Sequence, residues 1–509
     1  MKFLRILCVL AIALSVAGSV YAETQSVKVS GDLTMRALLR DQYNLRSHPD
    51  EAIITGTDSA QQQWLMSVAA VQIDADLTDN VQTVIRILNQ RDWNVYDSTG
   101  ATGTMNPNGR GLYIANQDEF DVMIDLAYVQ LKNFIYSPLT VTIGRQDLWF
   151  GKGFIVGANQ QNPGSGPGSN TILASGNLSA PEYTAINSFD AVKAVLDYDP
   201  WTITGIYSNI YTDGVQAKDG VDLWGVNVGY KFNSYNAESE AYWFYQQDDS
   251  ITHFGETQST NNVYTLGLRG SFDPINAFTL NGEIAWQGGS YLGSTLQQTS
   301  RPRSAWALDV SGECRYFADK TAWKPKIGAE YIYYSGDKNE SYGDVNAGGT
   351  YTGWNPMYRG KFDSAIREFV GKFYSTARYA VSGAVTQSCA DDSRTNQHQM
   401  VFMGSVQPID SVTVKANYNL FWNQYFWTPN TGTFNANVLD GQSTGGFIGQ
   451  EVDININWDY TEDVSFGLLA AWFVPNETYR SSLVVSAASN QSGYDKVATD
   501  LVGTVKVSF

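Results

Sequence analysis

The feature that most constrains this chain is a two-residue alternation of apolar and polar side chains, which starts at Val27 and recurs to Phe509. Val27, Val29, Gly31, Leu33, Met35, Ala37 and Leu39 alternate with Lys28, Ser30, Asp32, Thr34, Arg36 and Arg40. Phe278, Leu280, Gly282, Ile284 and Trp286 oppose Thr279, Asn281, Glu283 and Gln287. At the end, Leu501, Gly503, Val505, Val507 and Phe509 oppose Asp500, Thr504 and Lys506. A period of two is the strand period, so each segment reads as a β-strand with one greasy and one hydrophilic face. Composition agrees. Only 17% of residues are charged, below the usual ~25%, while 13% are aromatic and 46 are Gly. The formal charge of −18 disfavours nucleic acid as a partner, because phosphate contact needs a basic surface. The apolar content is too high for a disordered chain.

A soluble sandwich also alternates, but three features favour a membrane barrel. The polar faces carry many ionisable residues, as a water-filled lumen requires. Trp201, Tyr235, Trp323 and Trp458 fall at strand ends, where an interfacial girdle sits. Connections alternate short and long. Short turns are expected near Asp79-Asn80, Ser137-Pro138, Asp199-Pro200, Asn233-Ser234, Asp273-Pro274, Asp319-Lys320, Pro408-Ile409 and Glu462-Asp463. With both termini periplasmic, these imply a transmembrane antiparallel β-barrel of about 18 strands, with short periplasmic turns and long outer loops. A barrel of that size encloses an aqueous channel.

Residues 1–22 read as a signal peptide: Lys2 and Arg5 precede an apolar stretch, and Val20-Tyr21-Ala22 suits cleavage before Glu23. Residues 23–509 then form one barrel in the outer membrane of a Gram-negative-type bacterium, with its lipid as partner. The longest outer loop runs from about Gly336 to Asn396. Inside it Phe362, Ile366, Phe369, Val370 and Phe373 have helical spacing, suiting a short helix that enters the lumen or packs at its rim. Asn162 to Asn170 reads as a flexible linker without a phosphate-loop ending. The scattered cysteines and histidines match no zinc or haem spacing, so no metal or cofactor is expected. By parity Cys314 faces lipid while Cys389 lies in the long outer loop, which implies two free thiols.

Two stretches go beyond a generic barrel. Ile143-Gly144-Arg145-Gln146-Asp147-Leu148-Trp149-Phe150-Gly151 is followed by Ser188-Phe189-Asp190-Ala191-Val192-Lys193. Gly449-Gln450-Glu451-Val452-Asp453-Ile454 is followed by Phe473-Val474-Pro475-Asn476, where Asn476 replaces a family Gly. This pattern resembles the alginate-export family of outer-membrane porins. The resemblance implies an 18-stranded monomeric barrel and a channel for passive transport of hydrophilic solutes, including oligo- or polysaccharides. The family's namesake moves an anionic polysaccharide outward through an arginine-rich lumen.

Parity supplies this chain's own lumen. The pore-lining set includes Arg36, Arg86, Lys193, Arg269, Arg315, Lys326, Glu451 and Asp453. Counted with Lys28, Arg40, Lys415 and Lys506, the basic residues nearly balance the acidic ones, so the wall is mixed rather than arginine-rich. Simple parity puts Arg145 outward; a bulge at Gly144 would turn it inward, and the cost of a lipid-facing Arg favours the inward placement. Glu451 and Asp453 share a strand face about 6.5–7 Å apart, a spacing also used by inverting glycosidases. A barrel enzyme is therefore one alternative, although no residue marks one carboxyl as an acid. A second alternative is a surface barrel with a structural or adhesive role through its outer loops. Finally, Phe509 with Val507 and Val505 resembles the signal read by barrel-assembly machinery, and it pairs the last strand with the first.

Overall fold

A computed structural model of the chain describes residues 26–43, 45, 61–93, 122–159, 180–212, 220–249, 261–291, 300–318, 320–337, 349–360, 364–367, 395–425, 444–476 and 496–509. The segments 1–22 and 162–170, Cys389, and Phe362, Phe369, Val370 and Phe373 lie outside the described residues.

Eighteen strands run in chain order: β1 (Ser26–Asp41), β2 (Gln61–Thr78), β3 (Val81–Asp92), β4 (Met123–Leu131), β5 (Leu139–Gln146), β6 (Phe189–Tyr198), β7 (Trp201–Thr212), β8 (Gly220–Lys231), β9 (Glu238–Asp248), β10 (Val263–Ile275), β11 (Phe278–Tyr291), β12 (Arg301–Cys314), β13 (Lys326–Tyr334), β14 (Gln397–Ile409), β15 (Val412–Tyr425), β16 (Thr444–Asp459), β17 (Val464–Pro475) and β18 (Ala498–Ser508). Each pairs antiparallel with its sequence neighbours, and β1 also pairs with β18, with Leu33 opposite Val507 and Ala37 opposite Gly503. The sheet closes on itself, so every strand has a hydrogen-bonded neighbour on both sides.

The eight short connections alternate with long ones, as the turn pattern implied. Two turns fall later than their sequence signals. Asn276-Ala277 replaces Asp273-Pro274, and Asp410-Ser411 replaces Pro408-Ile409. In both places the ladder register shifts around the proline, between Phe272 and Ile275 and between Val406 and Ile409. A bulge absorbs a residue that cannot donate to the ladder, so the strand continues past it.

The outward face is apolar. Leu266 is 48% exposed, Leu268 61% and Trp306 48%. Aromatic residues form two belts on this face. Trp224, Trp243, Tyr264 and Trp472 lie toward the long connections, and Trp201, Tyr235, Trp323 and Trp458 toward the short turns. Cys314 shares this face, opposite Phe278 and Ile327, as a free thiol.

The interior is uneven. Toward the short turns the inward residues stay open, and Lys326 and Lys415 are exposed to the lumen. Toward the long connections the same faces bury Leu38, Met66, Phe189, Leu223, Phe244 and Phe473. They are covered by parts of the β5–β6 and β13–β14 connections folded inside the barrel.

Candidate functional site

The inserted segments narrow the lumen, and the constriction begins with a short strand. β5 has 8 residues where β12, across the lumen, has 14. The chain therefore turns inward at Asp147, partway up the wall. Leu148, Phe154, Ile155 and Val156 bury themselves against Phe189, Leu223, Phe244 and Tyr334 of the inner wall. Gly151 and Gly153 have φ of 54° and 74°, which lets the segment reverse tightly, with Gly153 N–H donating to the Phe150 carbonyl at 2.9 Å. At the tip of this reversal the Lys152 ammonium reaches the far wall and donates to Ser311 Oγ at 3.1 Å.

A second segment, 351–360, lies against the first. Val156 and Tyr358 form a parallel bridge, and Gly157 and Ala158 N–H both donate to the Tyr358 carbonyl, at 2.7 and 2.9 Å. The wall holds this segment through Gln287, whose side chain donates to the Asn355 carbonyl at 2.8 Å and accepts from Asn355 N–H at 2.9 Å. The buried Arg303 lies under the rings of Tyr291 and Tyr351 and donates to the Gly353 carbonyl at 3.0 Å. A third segment, 180–188, covers the opposite arc. Its Thr184 hydroxyl and Ala185 N–H donate to Gln90 Oε1 at 3.0 and 3.1 Å, and Glu182 pairs with Arg40. Arg36 sits 4.6 Å from the ring centre of Tyr183. Burial and Asp500 push that hydroxyl up to about 12, against the pull of Arg40 and Arg36, so the ring facing Arg36 stays neutral.

The fourth segment, 364–367, enters helical conformation at Arg367, and Ile366 is buried among Phe421, Ile448 and Phe473. The loop residue with helical spacing thus packs inside the outer mouth. Its anchor is Glu451, whose carboxylate accepts from Ala365, Ile366 and Arg367 N–H at 2.7, 3.1 and 2.8 Å. A carboxylate at the start of a helix satisfies donors that have no intrahelical partner. Asp453, two residues on, accepts from Asn419 at 3.0 Å. Glu451 is fully buried, so its oxygens face backbone rather than a water-filled cleft.

Register places the sequence-derived residues as follows. Arg36, Arg86, Lys193, Arg269, Lys326, Glu451 and Asp453 face the lumen. Arg86 pairs with Asp32 at 2.9 Å and Asp125 at 3.4 Å, and Arg269 bridges Glu238 at 2.8 Å and Glu240. Arg315 lies just past β12, where it pairs with Asp273 at 2.9 Å. Arg145 is a correction: it faces outward. Pairing runs unbroken through Gly144 on both sides, with Ile143 opposite Val192, Gly144 opposite Ala191 and Arg145 opposite Asp190. No bulge turns the strand. Arg145 sits one residue from the outer end of β5, paired with Asp190 at 3.2 Å and donating to the Ile124 carbonyl at 3.1 Å. The ~2–4 kcal/mol cost of a lone lipid-facing Arg at midplane is offset here by the Asp190 carboxylate and the Ile124 carbonyl, which pair the guanidinium. Among the described residues, Arg36, Lys193, Lys326, Lys415 and Lys506 make no ion pair.

Sequence reasoning missed the residues that build the constriction. Lys152, Glu182 and Trp149 lie in connections, where strand parity has nothing to say. Gln90 and Arg303 lie on strands, and extending the alternation of β3 and β12 outward would have placed them inside; Gln287 stands on the polar face that parity gave β11, but its bonds to Asn355 have no local signal.

Comparison with known proteins adds to this geometry. Residues 33–495 match the model of the family described as alginate export. No curated protein matches the sequence. Among solved structures, OccAB1 of Acinetobacter baumannii is 10% identical with a TM-score of 0.53, over 97% of this chain and 100% of that one. OccK2 (OpdF) of Pseudomonas aeruginosa is 9% identical with a TM-score of 0.49, over 95% and 98%. OccAB4 of Acinetobacter baumannii is 9% identical with a TM-score of 0.48, over 96% and 100%. The family match covers most of the chain, and the closed barrel carries a greasy exterior around a narrowed polar lumen. The chain therefore belongs to the alginate-export family and is an outer-membrane channel for solutes.

Proposed function

We propose that this channel passes saccharides, with the inserted segments setting which ones enter. The observation that carries the reading is the mixed, hydrogen-bonding lumen at the constriction. Acids and bases of both signs face each other there, as in Asp32–Arg86–Asp125 and Glu238–Arg269–Glu240. Such a wall offers donors and acceptors to hydroxyl-rich solutes without a single-sign field that would trap ions. Free lysines beyond it favour neutral and anionic sugars over cationic ones. Lys326 and Lys415 flank Ser405 on one row, about 9–10 Å apart by strand spacing. A hydrolytic role for Glu451 and Asp453 is disfavoured, because a general acid must reach substrate and Glu451 is closed over by backbone.

Liposome swelling with neutral, anionic and cationic sugars tests this. Neutral and uronic-acid oligosaccharides should swell the liposomes faster than amino sugars of the same size. Equal exclusion of all three by a protein that conducts salt in planar bilayers would overturn the saccharide reading.

A further inference from the structure

Trp149 is oriented differently from its neighbours. Leu148 and Phe150 turn toward the inner wall, where Leu148 is buried and the Phe150 ring lies 5.2 Å from Phe244. Trp149, between them, turns away from that wall and is 55% exposed, on a segment that lies inside the barrel. Other exposed tryptophans, such as Trp201, Trp224, Trp243 and Trp306, belong to the outward belts. An indole left half open to lumen water is an exposed apolar face without a lipid to cover it.

Its mount is rigid. A Cβ added at Gly153, Gly157 or Gly360 would lie 2.6, 2.9 or 2.7 Å from an atom of the Trp149 ring, so the indole occupies space that three side chains would need. These glycines come from two inserted segments tied together, with Gly360 N–H donating to the Gly153 carbonyl at 2.9 Å. The indole N–H donates to the Gly151 carbonyl at 3.0 Å, which fixes the ring's rotation. One face of the ring therefore rests on bare backbone while the rest meets the lumen. Asp147, two residues back and also exposed, interacts electrostatically with Arg86 and Lys193 on the wall.

We propose that Trp149 on its glycine shelf is a saccharide-stacking platform in the constriction. The indole takes the apolar face of a pyranose ring, and Asp147, Arg86 and Lys193 meet its hydroxyls. This rests on the saccharide reading above and adds a specific binding position to it. A flat, pre-oriented aromatic gives up little conformational entropy when it stacks, which is why a held ring binds better than a free one. Neutral and anionic sugars should both use it, because stacking reads the ring face rather than the substituents.

Single-channel recording in planar bilayers, with maltotetraose and a uronic-acid tetrasaccharide as probes, tests the assignment. Both should block the wild-type current reversibly. Trp149→Leu keeps apolar bulk on the shelf but removes the aromatic face, and it should shorten the block roughly ten-fold or more. Trp149→Phe should fall between. Salt conductance and heat-modifiable migration of each variant show that the barrel is folded. Unchanged block times in Trp149→Leu overturn the platform, as does a wild-type channel that passes both sugars in liposome swelling but is never blocked by them. A wild-type channel that conducts salt but admits neither sugar overturns the saccharide reading instead.

Discussion

Glu451 shows how one side chain can hold an inserted segment in place. It satisfies three consecutive N–H groups of the 364–367 segment from the wall of β16, two of them buried. Truncation to Ala leaves those donors unpartnered, at a local cost of about 2–4 kcal/mol. Glu451→Ala should therefore release the segment and give a larger, noisier single-channel current. Glu451→Gln, which keeps one acceptor oxygen, should lie between; identical currents in all three proteins would show that this anchor does not shape the pore. Arg145 makes the opposite case. It faces outward at the end of β5, paired with the 64%-exposed Asp190. Arg145→Gln should change stability by less than about 1 kcal/mol and leave the reversal potential in a salt gradient unchanged. A shift toward cation selectivity would place its charge in the lumen after all.

Among the elements, the first inserted segment matters most. Its position follows from a mismatch in strand length: β5 stops after 8 residues while the facing wall continues. The chain must cross the lumen to reach apolar cover, and Leu148, Phe154, Ile155 and Val156 find it on the inner faces of β6 to β13. Replacing residues 150–156 with a short Gly-Ser linker removes that crossing. Single-channel conductance should roughly double or more, because pore cross-section limits current, and block by tetrasaccharides should vanish with it. Gln287→Leu is a milder version. It removes both hydrogen bonds to Asn355, and it should raise current fluctuations while leaving the barrel's heat stability near that of the wild type.

Closure of the barrel rests on the seam between β1 and β18. Gly31 N–H donates to the Phe509 carbonyl at 2.9 Å and Phe509 N–H returns a bond at 3.0 Å, while the Phe509 ring fills the notch where Gly31 has no side chain. We propose that this residue also serves recognition by the assembly machinery. Phe509→Ala should lower the amount of heat-modifiable protein in the outer membrane, yet leave the conductance of assembled channels unchanged, since the ring faces away from the lumen. Normal assembly of the variant at native expression would refute it. Cys314 reports on the same exterior. A membrane-permeant maleimide should label it in intact outer membranes, and a charged one should not.

The alternation of apolar and polar residues is a local property, so strand number, closure and the two faces could be read from the chain directly. Arg36, Arg86, Lys193, Arg269 and Lys326 could be placed on the inner wall for the same reason: each follows from parity within its own strand. Arg145 shows where that reading stops, because a general cost for lipid-facing charge argues against parity there, whereas the neighbouring Asp190 and the Ile124 carbonyl decide the cost. The constriction lay further out of reach. Gln287 meets Asn355 across 68 residues, and Glu451 meets Ile366 across 85. Such contacts depend on which connections fold inward, and that depends on unequal strand lengths and on apolar cover available only once the barrel has closed. Period-two patterning specifies a wall; what fills the space inside it is settled by packing between segments that no local pattern links.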